Sequence, residues 1–410
     1  MAIRGQLMPA GPRPASFLLV HRSNSQTPAE ELSVITRYWI SNFKSLMDFE
    51  IPTESSERSL QPVVFLIGPN AAGKSTILQS LGLLGRLAHG DVSGWLRERE
   101  WETRELRSHF GSRTLTFFVE AEVLDKTIWW QGRLNYTSLR CTAEKIWNED
   151  GILLASEGGR CVVDENLYNT TNLDFEGSFL STLREQRLPE PLRQFKHFMG
   201  QVSLLDQLSP SGLRKRSRSA SDIGLGGEGL SGFLYSLAPE ILELVGTDYN
   251  HFFPGVGIQL KSLRSGWKHL DLNESQLKDA HGRGLEASAR HSSDGRLRIL
   301  AIIAQTYSER SVILLDEIEN GIYPEIIEKL VDYVQLRARH SGKQFWITTH
   351  NPLVLNYLED EVARQSVYLV KRDDRGLTQA VPYFEFEQTA RKLELMGPGE
   401  VFVDTPLSTL

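Results

Sequence analysis

The sequence predicts an α/β fold with a mixed central sheet, and three stretches predict it. Gly68-Pro69-Asn70-Ala71-Ala72-Gly73-Lys74-Ser75-Thr76 fits the pattern G-x-x-x-x-G-K-[ST]. An apolar, β-branched run, Val63 to Ile67, precedes it, and the apolar stretch Ile77 to Leu84 follows, which reads as buried strand, glycine-rich turn and helix. Val312-Ile313-Leu314-Leu315 is a second buried run and ends in Asp316-Glu317. Phe345-Trp346-Ile347-Thr348-Thr349 is a third and ends in His350.

The bulk numbers bound the rest. With 410 residues the chain can bury a sizeable core and form more than one lobe. A net charge of −7 excludes a protein that is basic all over, so nucleic acid would have to meet a local patch. Cys141 and Cys161 form no C-x-x-C pair and accompany no histidine cluster, which fits a reducing compartment and gives no metal framework. No apolar run approaches the length of a membrane span. Phe17-Leu18-Leu19-Val20 is too short for a signal-peptide core. The expected location is the cytoplasm, with no membrane partner.

Taken in order, residues 1–32 read as a flexible leader, with one edge strand over 15–21. Residues 33–165 begin with a strand from Ile35, a turn at Asn42-Phe43-Lys44-Ser45-Leu46 and a returning strand Phe49-Glu50-Ile51. Such a pair just ahead of the phosphate loop places an aromatic or basic side chain near a base. After the loop, Leu96 to Leu106 reads as a charged helix, and 114–123, 129–136, 140–146 and 152–156 as an antiparallel sheet. Residues 166–255 read as an inserted helical and loop lobe, helical over 179–204 apart from Pro189 and Pro191. Within it Arg214, Lys215, Arg216 and Arg218 form the most basic cluster, either a phosphate or partner contact or simply a solvated loop. Residues 256–410 resume with a strand pair over 256–271 and carry the second and third buried runs.

These residue types in this pattern point to phosphate chemistry. The glycines let backbone N–H groups close around phosphate oxygens, and the following helix adds the positive end of its dipole. Lys74 then reaches the outer phosphates and the Ser75 hydroxyl sits on Mg²⁺. Asp316, at the end of a buried strand, supplies a carboxylate for the same ion, and Glu317 beside it can polarise a water. His350 ends the next strand, placed to donate to a γ-phosphate. Ser292-Ser293-Asp294-Gly295-Arg296 opens an apolar helix whose first N–H groups can take an anion. The ligands expected are ATP and Mg²⁺, with Gly68, Asn70, Gly73, Lys74, Ser75 and Thr76 around the phosphates.

The order of these motifs resembles the ABC-type ATPases, and their wording is similar to the RecF/SMC/OLD branch. Asn42-Phe43-Lys44-Ser45, Asp294-Gly295 with Leu297 and Leu300, and Glu319-Asn320-Gly321 with Pro324 resemble the small ATP-binding proteins of bacterial anti-phage defence operons. The resemblance implies an ATPase head whose composite site pairs the phosphate loop of one protomer with Ser293, Asp294 and Gly295 of its mate. It makes Glu317 the catalytic base, His350 the γ-phosphate switch, and Ser75 and Asp316 the Mg²⁺ ligands. ATP then holds a dimer together and hydrolysis releases it.

Two features depart from that pattern. No glutamine lies between Gln79 and Gln131 to act as the Mg²⁺-contacting glutamine, and Ser-Ser-Asp-Gly stands where Leu-Ser-Gly-Gly is common. The expectation is a slow ATPase that assembles with itself and controls an effector, such as a nuclease encoded nearby, in anti-phage defence. The alternative is a RecF-like DNA-binding clamp in repair.

Overall fold

The computed structural model describes residues 33–53, 58–164, 166–170, 173–206, 208–278 and 284–407. The leader and its edge strand lie outside the described residues. In chain order, β1 (Val34–Ser41), β2 (Phe49–Ile51) and β3 (Val63–Ile67) lead to α1 (Lys74–His89), α2 (Val92–Glu98) and α3 (Thr103–Leu106). An antiparallel run follows: β4 (Thr114–Val123), β5 (Lys126–Asn135), β6 (Arg140–Asn148), β7 (Gly151–Glu157), β8 (Arg160–Val163) and β9 (Asn166–Asn169). The middle of the chain holds α4 (Glu190–Gly200), β10 (Val202–Leu205), α5 (Pro210–Leu213), α6 (Leu230–Ser236) and α7 (Pro239–Phe252). Next come β11 (Val256–Ser262), β12 (Lys268–Lys278), β13 (Gly284–Ser288), α8 (Asp294–Thr306), β14 (Val312–Leu315), α9 (Pro324–His340) and β15 (Gln344–Thr348). The chain closes with α10 (Pro352–Asn356), α11 (Asp360–Ser366), β16 (Val367–Arg372), β17 (Thr378–Pro382), α12 (Glu387–Leu393) and α13 (Pro398–Asp404).

The three apolar runs are neighbours in one six-stranded sheet, of order β10-β14-β15-β3-β16-β17, parallel throughout except for β17. A parallel sheet is covered on both faces, so its strands are apolar at every position and not at alternate ones. The period of two survives in where the side chains go. Val64, Leu66, Leu314 and Trp346 enter the core shared with α1, while Phe65, Ile67, Leu315 and Ile347 enter the core shared with α8 and α9. The ends of β3, β14 and β15 thereby open on one edge, where ligands of such sheets bind.

The first core is closed by an eight-stranded antiparallel sheet of order β2-β1-β4-β5-β6-β7-β8-β9. β4 shows why it was readable: Leu115, Phe117, Val119, Ala121 and Val123 are buried, and the residues between them are not. The hairpin β11–β12 and β13 form a separate three-stranded sheet.

The stretch 179–204 departs from its helical reading. The helix α4 begins at Glu190, with Pro191 in its first turn, where a missing N–H costs no hydrogen bond. Pro191 therefore helps to start the helix and does not interrupt it. Val202-Ser203-Leu204-Leu205 is strand β10, too short for its period to be told from a helix end. The strands β8, β9, β13, β16 and β17 were not anticipated, and 96–106 holds two short helices separated by Glu100 at φ 55. Among the described residues no helix is long and apolar enough to cross a membrane.

Candidate functional site

The phosphate loop is fixed by close contacts on its own backbone. Gly68 has φ 139, and a Cβ there would lie 2.1 Å from the Val370 carbonyl oxygen. Gly73 has φ 114, and a Cβ there would lie 2.2 Å from Thr378 Oγ1. Only glycine meets both demands, a left-handed backbone and no side chain. Thr378 donates to the Ala72 carbonyl at 2.9 Å and shares a 2.7 Å hydrogen bond with Ser45 in the turn between β1 and β2. Arg372 donates to the Ala71 carbonyl at 2.6 Å. The β16–β17 hairpin thus holds the loop from behind, while Pro69, Asn70 and Ala71 face outward. Ser75 and Thr76 are half-buried on the first turn of α1.

Lys74 is buried and donates to the carbonyls of Gly68 at 2.8 Å and Pro69 at 3.0 Å. Burial pushes its ammonium below the usual lysine range, and the carboxylates of Asp316, Glu317 and Glu319 pull it back up. The cation is therefore held on the loop, near the carboxylates that follow β14.

Asp316 is 4% exposed, and its Oδ1 accepts from Ser75 Oγ at 3.0 Å and from Thr348 Oγ1 at 2.6 Å. The first turn of α1 and the ends of β14 and β15 are thus joined through one carboxylate oxygen. Glu317 has φ 47, a left-handed backbone that costs a non-glycine residue about 1–3 kcal/mol and recurs at functional sites. It is held there from two sides. Its N–H donates to Thr348 Oγ1 at 2.8 Å, and its carbonyl accepts from Arg298 Nη2 at 3.1 Å. Arg298 is a buried residue of α8 that also reaches the Asp316 carbonyl at 3.1 Å. Burial lowers the pKa of its guanidinium, and the carboxylates of Glu317, Glu319 and Asp316 oppose that.

Glu319 is buried, and its Oε1 accepts from the His350 backbone N–H at 2.9 Å and lies 3.1 Å from His350 Nδ1. Its Oε2 is buried and has no partner. The ring of His350 is therefore oriented by Glu319 while half of its side chain stays exposed. Sequence reasoning missed the roles of Glu319, Thr348 and Arg298. The first two lay within the motifs already quoted, whereas nothing in the apolar pattern of α8 marked Arg298.

Ser293, Asp294 and Gly295 begin α8, and Ser293 occupies the cap position without a side-chain capping bond. Ser293 and Asp294 are exposed. A Cβ on Gly295 would lie 2.6 Å from the Gly321 carbonyl oxygen, so this glycine serves close packing on the turn after β14. Arg214 belongs to this turn: it donates to the Ser292 carbonyl at 2.7 Å and pairs with Asp294. Lys215, Arg216 and Arg218 are exposed. The structure thus separates Arg214 from the other three basic residues.

On the outer side of β14 lies β10, which ends at Leu205, and Asp206 follows it. Burial and the nearby Asp316 push the Asp206 carboxyl up, while Arg99 and Lys44 oppose. The sequence offered no metal-contacting glutamine between Gln79 and Gln131. The structure puts the neighbouring strand more than a hundred residues after α1; Gln207, which follows it, lies outside the described residues. Lys44, in the turn expected to hold a basic side chain, donates to Gln79 Oε1 at 2.9 Å and sits 3.4 Å from the Trp101 ring centroid. Burial, with Arg99 next, lowers its pKa to about 8.

The donor set suits Mg²⁺, a hard cation that takes few protein oxygens alongside water and substrate phosphate. Ser75 and Asp316 are the oxygens that would hold it, and it would supply charge neutralisation at the phosphates. Among the described residues no group of three or more His, Cys, Asp or Glu side chains could hold a metal ion.

Arranged in this way, the parallel sheet, phosphate loop and carboxylate strand define an ABC-type P-loop ATPase fold. Solved structures bear this out. An Smc head bound to the C-winged helix domain of ScpA is similar to this chain with TM-score 0.53 and 12% identity, covering 85% of this chain and 96% of that one. An Smc head domain with an extended coiled coil, from Pyrococcus furiosus and bound to the C-terminal domain of ScpA, is similar with TM-score 0.50 and 10% identity, covering 88% and 100%. The family described as "AAA domain, putative AbiEii toxin, Type IV TA system" matches residues 133–356. That is more than half of the chain, and the chain belongs to this family. The match begins after the phosphate loop, which the fold supplies independently. No curated protein matches the sequence.

Proposed function

We propose that this chain is an ATP-hydrolysing subunit that assembles with a second copy around ATP·Mg²⁺ and controls a separately encoded effector, such as a nuclease, in anti-phage defence. The observation that carries it is the shared hydrogen bonding of Ser75, Asp316 and Thr348, set against the exposure of Ser293 and Asp294. One half of an ATP site is assembled, and a surface suited to complete a neighbour's half faces outward. Gly68, Asn70, Gly73, Lys74, Ser75 and Thr76 bind the phosphates. The Glu317 carboxylate takes a proton from the attacking water, and His350, oriented by Glu319, donates to the γ-phosphate. Ser293, Asp294 and Gly295 close the site in trans.

The family's description names a putative toxin of a toxin–antitoxin system, which supports a place in defence. The two Smc heads carry a bound ScpA domain, which supports a fold that docks a protein partner. A composite site makes turnover depend on encounter. Phosphate release per chain should therefore rise with protein concentration until the dimer is saturated. A specific activity that stays constant on dilution to well below micromolar would overturn the composite site.

A second reading, a RecF-like DNA-binding clamp in repair, is favoured by the exposure of Lys215, Arg216 and Arg218. It requires duplex binding that ATP strengthens and salt weakens.

A further inference from the structure

Two stretches distant in sequence meet at the start of β12, the central strand of the three-stranded sheet. The Lys268 N–H donates to the Ser217 carbonyl at 2.7 Å, and the two residues form an isolated antiparallel bridge. Ser231 locks the junction: its Oγ accepts from the Ser217 N–H at 3.0 Å and donates to the Lys268 carbonyl at 3.3 Å. This lays Lys215, Arg216 and Arg218 beside the turn of the β11–β12 hairpin, which carries Arg264 and Trp267 and leads into Lys268 at the start of β12. Trp267 is 41% exposed and Tyr235, on α6, is 42% exposed. The Arg218 guanidinium lies 5.5 Å from the Trp267 ring centroid, and Lys268 Nζ lies 3.6 Å from that of Tyr235. Arg216, Leu263, Arg264 and Trp267 line a cavity of about 490 Å³.

At the margins Arg214 pairs with Asp294 and Lys261 with Asp271. Among the described residues no carboxylate pairs with Lys215, Arg216, Arg218, Arg264 or Lys268. In a chain of net charge −7, such a concentration of free cations is a local attractor for phosphates. Phosphate attraction alone would not distinguish a duplex from a single strand. The exposed indole does, because a base can stack on it only when its face is free.

We propose that Lys215, Arg216, Arg218, Arg264, Trp267 and Lys268 form a binding surface for single-stranded nucleic acid, with Trp267 as its stacking platform. It stands on observations outside the ATP site. Arg214 couples it to that site, because this residue joins the basic loop to the start of α8.

The test is fluorescence anisotropy of the full chain with labelled oligothymidylate, oligouridylate and a mixed-sequence duplex, each about 20 nucleotides or base pairs long, across about 50–200 mM salt. At least one single strand should bind about tenfold or more tightly than the duplex, and the two single strands together show whether the sugar matters. With five phosphate contacts the log–log salt slope should be about −3.5. Trp267→Ala should weaken binding about tenfold or more, while Trp267→Phe keeps most of it. The double substitution Arg216→Glu with Arg218→Glu should flatten the slope by more than about 1. The same affinities are expected in Lys74→Ala without nucleotide, which keeps this test apart from the fate of the ATP site. Absence of binding to every probe, equal or tighter duplex binding, or single-strand binding indifferent to Trp267→Ala would overturn the proposal.

Discussion

The phosphate loop and the Ser293–Gly295 turn each place a glycine at the start of a helix, yet they are held in opposite ways. The loop is buried at Gly73 and Lys74, left-handed at three positions, and fixed by Val370, Arg372 and Thr378. The turn is exposed at Ser293 and Asp294, has an ordinary extended cap residue, and is held chiefly by Arg214 and by packing of Gly295 on Gly321. Under the proposed function this difference has a physical reason. Groups that meet phosphates within their own chain can be fixed during folding, whereas groups that meet a partner's phosphates must stay on the surface.

Substitutions that break the fixed half should have the largest effects. Lys74→Ala removes the buried cation and should reduce ATP affinity by about a hundredfold or more, read by calorimetry. Glu317→Gln should leave that affinity within a few-fold and lower turnover by about 10²–10⁴-fold, read as phosphate release. Thr348→Val strands the Glu317 N–H and one bond to Asp316. It should cost about 1–3 kcal/mol in urea unfolding and lower turnover as well. On the other half, Ser293→Glu, at an exposed position without a side-chain capping bond, should leave ATP binding to a single chain intact and abolish concentration-dependent turnover. If it destroyed ATP binding too, the two halves would not be separable.

The smallest effect concerns the edge of the site. The pKa of Lys44 is lowered from 10.5 to about 8, by burial first and by Arg99 second. Between these values the unfolded chain binds the proton that the folded chain has released, so stability from this group rises with pH across that window. Wild type should gain stability relative to Lys44→Met from about pH 8 to 10.5, and equal pH profiles would contradict the burial.

Much of the fixed half was legible because its demands are local. Continuous apolar runs mark strands covered on both faces, and Gly68, Gly73 and Lys74 carry the turn chemistry in their own identities. Alternation over 114–123 announced the antiparallel sheet for the same reason. The less legible parts depend on contacts across long separations. Thr378 braces a loop more than three hundred residues earlier, and no local pattern announces that. Arg298 lies within an apolar helix, and its value appears only when the carbonyls of Asp316 and Glu317 are brought to it. β10 is four residues long and reads as the end of α4 until β14 is found beside it. Arg214 looked like one of four equivalent basic residues, and only the fold separates it from the other three.

The most direct test of the composite site is the solution mass of Glu317→Gln, measured by sedimentation velocity with and without ATP·Mg²⁺. The account predicts that ATP·Mg²⁺ doubles the mass, and that Ser293→Glu added to the same chain prevents the doubling while ATP still binds. A monomer under every condition, with ATP bound, would contradict it.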